Sequence, residues 1–379
     1  MTLTVERLTQ AEAFGTLTPE WEALDAGLYP RTPFTSPIWN RLWWKYFARK
    51  GPLRYDEFFV HTLRDQAGRL VAVAPLMRTY QPSFGPLRLC KLQFFGTDPS
   101  LTEIRGLVCS AEWQGEAVDA LIDYFRVNDR NWELFKWSGI RLDGEAHRKF
   151  LDADGVRTER VLPDYVTPLP ESWEKFKSRL SNNTRKSLRK GYEFVDRDGL
   201  KILFQVIERR DEIEDALRRF FTLHRARSTS VDMTSHRDSF AERTHRKFLK
   251  DVALGMAACD QVRFFELEIG GEIIASRVAF ALDKELYLYF SGFDPKWKKY
   301  GVMTTLVVEI IKWAIEHGFS LVNLSTGTDQ SKLRWKPIEI VLHDVVQSSP
   351  SLRGRLALQW ELSLRRYKQR SNRLIDKEV

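Results

Sequence analysis

Residues 286–337, LYLYFSGFDPKWKKYGVMTTLVVEIIKWAIEHGFSLVNLSTGTDQSKLRWKP, restrict what this chain can become more than any other stretch. Leu286, Tyr287, Leu288, Tyr289 and Phe290 are the aliphatic and aromatic residues of a half-buried strand. Met303, Leu306, Val307, Ile310 and Ala314 then recur on one helical face, Glu309, Lys312 and Glu316 lie off it, and Gly318 supplies a stop. A second strand is expected over 321–324, followed by a loop that carries Asp329, Lys332 and Trp335. Strand and helix are joined by Lys298, Lys299, Tyr300, Gly301, Val302 and Met303. A glycine there lets backbone N–H groups come close to a ligand, and a helix N-terminus favours negative charge. With two lysines beside it, the junction reads as an anion site.

The charge balance agrees with such a site without selecting a ligand. The 379 residues carry a formal net charge of +8, which suits CoA, nucleic acid, a nucleotide sugar or an acidic membrane surface equally. The length suffices for two ordinary domains. No apolar run reaches the roughly 18–20 residues that span a bilayer, and the first ten residues lack the basic start and apolar stretch of a secretory signal. Cys90, Cys109 and Cys259 are far apart with no CxxC pair, so neither a disulfide framework nor a zinc site is expected, and a reducing cytoplasm is the default location. His224, His236 and His245 have no metal-ligand spacing.

A second regularity is a duplication. FFVHTLRDQAGRLVAVAPL at 58–76 and FFELEIGGEIIASRVAF at 264–280 share length, turn position and apolar pattern. Each is followed by a strand, a turn with Asp-Pro, a helix and another strand. Two copies of one α/β unit at so long a spacing make a duplicated domain, not a solenoid. The copies differ in the loop that precedes the helix: the first has 99–108 in place of Lys-x-x-Gly, with acidic Glu103 and Glu112 near the helix start. An acidic helix N-terminus repels a diphosphate, so the second copy is the expected holder of an anionic ligand. Pro163, Pro168 and Pro170 mark 163–170 as the linker, which divides the chain into 1–165, 166–350 and a basic C-terminal helix over 351–379. From Lys175 to Lys190 seven cations, Arg185 and Lys186 among them, occur without one acid in a helix-compatible stretch. Ser36-Pro37 opens a helix rich in tryptophan, expected in the core, and 228–248 is polar enough for a loop and helix covering a substrate.

The 286–337 segment resembles the acetyl-CoA motif of the GNAT acyltransferase superfamily, with Lys298, Gly301 and Met303 in the specified places and Gly301 the full match. It is more similar to the CelD-like (BioF2-like) GNAT acyltransferases and, more distantly, to Fem-type peptidyl transferases. The residues that carry this are Tyr289-Phe290-Ser291-Gly292-Phe293-Asp294-Pro295, then Gly327, Lys332 and Trp335, and Phe34 to Trp39 near the start. The resemblance implies an α/β (α+β) fold of two tandem GNAT-like units, each a mixed, mainly antiparallel sheet flanked by helices. It also implies direct acyl transfer from acetyl-CoA or another acyl-CoA to an amine or hydroxyl, with a sugar or cell-envelope precursor as acceptor. Lys332 takes the place of the functional lysine of the Fem-type motif.

On this reading the cofactor site comprises Phe290, Ser291, Gly292, Lys298, Lys299, Tyr300, Gly301, Val302 and Met303. The junction amides would grip a diphosphate, and the strand end near 290–292 would donate to an oxyanion. Asp294 is the leading carboxylate for proton transfer, with Lys332 and Asp329 beyond the next strand, where open α/β sheets bind ligands. Arg185, Lys186 and Trp335 are the expected substrate contacts. Two other readings stay open: an aminoacyltransferase that uses charged tRNA through the 175–190 cations, and a catalytically silent binding module. No metal is called for.

Overall fold

The computed structural model describes residues 3–98, 100–141, 150, 155–229, 237–327 and 329–378, with side chains as far as 365. In chain order the front half forms β1 (Thr4–Leu8), α1 (Ala13–Ala26), α2 (Pro37–Phe47), β2 (Tyr55–Phe58), β3 (Val60–Arg64), β4 (Leu70–Ala74), β5 (Leu76–Gln81), β6 (Leu89–Phe94), β7 (Val108–Cys109), α3 (Gln114–Val127), β8 (Leu134–Arg141) and β9 (Val156–Pro168). The back half forms α4 (Trp173–Arg179), α5 (Asn182–Arg197), β10 (Ile202–Ile207), α6 (Ile213–Ser228), α7 (Arg243–Ala257), β11 (Val262–Ile269), β12 (Glu272–Leu282), β13 (Glu285–Phe293), α8 (Val302–Glu316), β14 (Leu321–Thr326), α9 (Gln330–Leu333), β15 (Ile338–Ser348) and α10 (Leu352–Glu378).

The duplication is visible in the strand pairing. β5 and β6 are antiparallel and β6 runs parallel to β8; β12 and β13 repeat the first relation and β13 and β14 the second. The copies are not separate sheets. One eleven-stranded sheet runs β10-β11-β12-β13-β14-β9-β15-β8-β6-β5-β2, beside a smaller sheet β1-β3-β4-β7. The last strand of each half crosses to the other: β9 pairs with β14, β15 pairs with β8, and the two pair with each other from Ile338 opposite Val166 to Gln347 opposite Val156. Residues 163–168, expected as linker, are therefore interior sheet. Their prolines are tolerated because the ladder is irregular there: β14 skips register between Asn323 and Thr326, and the Pro163 carbonyl accepts instead from Gly327 N–H at 3.0 Å.

The front hairpin differs from its sister. At Phe59 and Pro75 its strands break, so β3–β4 stay in the small sheet while β2–β5 enter the large one. Proline cannot donate to a ladder, and the break falls on it. The basic stretch is also divided: Ser172 and Ser181 each cap a helix through their hydroxyls, with Leu180 extended and buried between α4 and α5. Its cations meet acids just outside the run, Lys175 with Glu171, Lys177 with Glu174 and Arg189 with Glu193.

One apolar core joins the halves. Trp39 on α2, capped as expected by Ser36, sets its ring edge-on to Phe34, Phe248, Phe280 and Tyr289, with centroids 4.7–6.1 Å apart. Against this core lies the front loop 98–106. Asp98 accepts from Trp43 Nε1 at 2.9 Å and from the Thr102 hydroxyl at 2.6 Å, Trp39 Nε1 reaches Thr102 at 3.1 Å, and Tyr289 OH donates to the Leu101 carbonyl at 2.5 Å. The far end of the loop passes so close to β8 that a Cβ on Gly139 (φ +66°) would fall on the Arg105 carbonyl oxygen. Gly139→Ala is therefore expected to cost about 1–3 kcal/mol by denaturant unfolding, from backbone overlap plus the left-handed φ. An unchanged midpoint would show that this close approach is not needed.

Candidate active site

β13 and β14 pair only over Glu285–Tyr287 and Leu321–Asn323, after which β13 follows β12 to Phe293 and β14 follows β9 to Thr326. The two strands part and leave a gap in the sheet. A bulge widens it: between the pairs Arg277–Ser291 and Ala279–Leu288, Val278 opposes both Tyr289 and Phe290. Beyond the bulge Gly292 rides directly on α6, where any Cβ would strike the backbone of Leu223 and His224.

A cavity of about 490 Å³ occupies the gap. Met303, Thr304 and Val307, on the first two turns of α8, form one wall; the end of β14 from Leu324 to Thr326, with Asp329, Lys332, Arg334 and Trp335 beyond it, forms another. His224 and Arg227 reach it from α6, Arg277 from β12, and Glu103 from the front-half loop. Ser325 holds the left-handed φ of +70°, and the chain turns so that its carbonyl and that of Thr326 accept from Lys332 Nζ, the former at 3.2 Å. A non-glycine residue in that conformation is uncommon and concentrates at functional sites.

The electrostatics of the cavity are set by burial. Arg277 Nη2 meets the Ser291 hydroxyl at 3.3 Å, and among the described residues its Nε has no hydrogen-bond partner and no carboxylate lies within ion-pair distance of it. Burial, with Arg227 close by, brings its guanidinium down to about 10. Burial likewise lowers Lys332, against the pull of Glu103. Glu103 accepts from Tyr287 OH at 2.5 Å, and burial raises its carboxyl above the ordinary value although that hydrogen bond and Lys332 oppose the shift. Burial acts most strongly on Asp329 and would raise it, but the Ser331 hydrogen bonds together with the Lys332 and Arg227 charges hold this group below the usual range. The Ser291 carbonyl lies 2.9 Å from His224 Nδ1; a carbonyl only accepts, so Nδ1 carries the hydrogen. Five lining cations, Arg227, Arg237, Arg277, Lys332 and Arg334, face two carboxylates, Glu103 and Asp329. Such a site suits an anion and can stabilise negative charge that develops on a reacting oxygen.

Residues 182–336, which contain the parted strands and α8, match the family model described as an acetyltransferase (GNAT) domain. This part of the chain has the GNAT-type fold, and the front half repeats its strand pairing. Among solved structures the chain is similar to FemX, with a TM-score of 0.57 at 11% identity over 89% of this chain and 96% of that one. It is also similar to the C-terminal domain of a putative lysylphosphatidylglycerol synthetase from Agrobacterium fabrum, with a TM-score of 0.51 at 13% identity over 92% and 97% of the chains. A conserved Bacteroides thetaiotaomicron protein of unknown function scores 0.51 at 11% identity over 91% and 100%. No curated protein matches in sequence.

Within this GNAT fold the sequence-derived candidates separate. Phe290, Ser291, Met303, Asp329, Lys332 and Trp335 converge on the cavity. Asp294 does not: it caps the turn at Pro295–Tyr300 by accepting from Lys296 N–H, and its other oxygen pairs with the Lys296 ammonium at 3.1 Å. Gly292 is a packing position. Gly301 caps α8 at φ +64° with open space above it, next to exposed Lys298 and buried Val302. Lys299 and Tyr300 turn to Asp198, at 3.3 and 2.8 Å. Arg185 and Lys186 lie on α5, off the cavity lining. Residues 230–236, part of the expected cover, are outside the described set, while Arg237 and Ser239 beyond them do line the cavity. Glu103 was read only as a charge near its own helix and belongs instead to the other half's cavity. Arg277 had a legible signal, a lone cation in the apolar run IIASRVAFAL. Among the described residues no group of His, Cys, Asp and Glu can hold a metal ion.

Behind Lys332, Asp164 on β9 is 2% exposed and accepts from Asn323 at 2.9 Å; burial raises it to about 6. Its folded value exceeds the ordinary one near 4, so its contribution to stability is complete at low pH and lost as pH rises through about 6. Asp164→Asn should remove that loss, gaining about 2–3 kcal/mol on wild type by pH 7. A pH-independent difference in unfolding free energy would contradict the assignment.

Proposed function

We propose that the protein is an acyltransferase that moves an acetyl or longer acyl group from CoA to an amine or hydroxyl of an anionic acceptor. The observation that carries this reading is the cavity that joins the parted strands to the first turn of α8. The residues there fit the group. The first N–H groups of a helix have no intrahelical partner, and at Val302 and Met303 they follow a left-handed glycine with open space above it. Acyl-CoA would supply an activated thioester, and this chain's residues do the rest. The α8 N-terminus binds diphosphate. Lys332 and Arg277 stabilise charge on the acyl oxygen. Glu103, its carboxyl raised by burial, would take the acceptor's proton as the acyl–sulfur bond breaks and return it to the departing thiolate, a role the sequence assigns to Asp294. Asp329 holds the Lys332 loop through its cap on α9. The excess of lining cations favours an acceptor with phosphate or carboxylate, as carried by sugar-phosphate precursors of envelope or exopolysaccharide.

Calorimetric titration with acetyl-CoA and longer acyl-CoAs tests the donor. Binding is expected for wild type and lost in Gly301→Glu, with the melting temperature of the free protein lowered by only a few degrees, the cost of a left-handed φ at a non-glycine residue; absence of binding by any acyl-CoA would overturn the reading. Salt-sensitive tRNA binding in its place would favour an aminoacyl donor. That alternative is supported by exposed Lys186 and Lys190 on α5, although neighbouring acids neutralise much of the surrounding charge. Glu103→Gln should lower kcat about 10²–10⁴-fold and abolish the rise of kcat/KM with pH that wild type shows through the raised carboxyl. An unchanged profile would assign the proton transfer elsewhere.

A further inference from the structure

We infer that α10 and two front-half loops form a face that docks on an anionic lipid surface. α10 packs on β8 and β15 through Ala357 and Leu358, and Glu361 on that side accepts from Lys91 at 3.0 Å and Lys136 at 2.7 Å. Its outward side is apolar. Leu352, Leu356, Trp360 and Leu364, four residues apart, are 74%, 62%, 63% and 41% exposed. On a 3.6-residue helix that spacing makes one stripe about 18 Å long. Two loops, one hydrogen-bonded to the start of the helix and both to each other, also expose large apolar side chains. Leu53, Phe84 and Leu87 are 81%, 68% and 78% exposed, Ser83 N–H bonds the Pro52 carbonyl at 3.1 Å, and Arg353 on α10 donates to the carbonyls of Pro86 and Arg88. Three segments thus present large apolar side chains side by side.

The rim is cationic. Lys50, Arg88, Arg353 and Arg355 are exposed on the same segments. The rest of the helix sequence holds Arg366, Lys368, Arg370, Arg373 and Lys377 against Asp376 and Glu378. Glu133, the acid nearest Arg353, is engaged with it at 3.3 Å. Leucines and a tryptophan beside basic residues are the composition of a helix that lies in the membrane interface, its apolar side in the acyl boundary and its cations on anionic headgroups. A second copy is disfavoured, because face-to-face pairing would bring two cationic helices together. No helix among the described residues is long and apolar enough to cross a bilayer, so contact would be in-plane.

The test is co-sedimentation of the full chain with vesicles of phosphatidylcholine alone or mixed with phosphatidylglycerol. Binding to the anionic vesicles is expected, weakening as salt rises, with each basic side chain near the surface contributing roughly fivefold. Leu356→Gln with Trp360→Gln should reduce binding at least about tenfold. Phe84→Ser with Leu87→Ser, on an independent segment, should reduce it too. Unchanged melting temperatures would show that the fold is retained, and the two variants cross-check each other if one of them unfolds. Equal binding to both vesicle types, no binding, or full binding by both variants would overturn the proposal. So would a dimer in light scattering that Leu356→Gln with Trp360→Gln dissolves, since the face would then meet a second copy.

Discussion

The clasp between the front loop 98–106 and the tyrosines of β13 is the constraint on which the candidate site rests. Tyr289 holds the Leu101 carbonyl, Tyr287 holds the Glu103 carboxylate, and Asp98 ties the loop's start to Trp43 of α2. Each is a hydrogen bond from a largely buried ring, so breaking one would strand a polar group in an apolar core, at about 1–3 kcal/mol. The clasp carries an acid from one half into a cavity whose other walls come from the other half. It depends in turn on the exchange of β9 and β15, which welds the halves into one sheet and leaves no hinge of ordinary linker between them.

The cavity is chemically asymmetric for a single reason. A parallel pair that separates after three residues leaves a gap that side chains from both faces can enter. Arg227, Arg277, Lys332 and Glu103 are poorly hydrated there, so these three cations resist charge and the Glu103 carboxyl resists ionisation. A guanidinium with a serine hydroxyl beside it but, among the described residues, no carboxylate in ion-pair reach carries an electrostatic demand that a ligand anion would satisfy. This is why the anionic-acceptor reading stands on Arg277 more than on the net charge of the chain.

Much of the back half was legible. The strand, glycine junction, helix and second strand of 286–337 follow from local rules: period-two apolarity, a 3.6-residue stripe, and glycines at helix ends. The loop lysine and tryptophan are candidates from sequence because ligands collect where such strands end, and both line the cavity. Asp294 misled because Asp-Pro after a strand is also turn chemistry, and here the carboxylate is consumed by its own cap. The prolines at 163 and 168 read as a linker because local rules take no account of an irregular ladder that tolerates them.

The sequence by itself determined the duplicated unit, the order of its elements, the amphipathic faces and the glycine junction at 301, because each is written in residues close together in the chain. Only the tertiary structure decided that the final strands trade places, that Gly292 serves packing, and that Glu103 belongs to the cavity of the other half. Glu103 lies 184 positions from its hydroxyl partner Tyr287. Contacts at that separation arise from sheet closure and core packing, which leave no periodic trace in the chain.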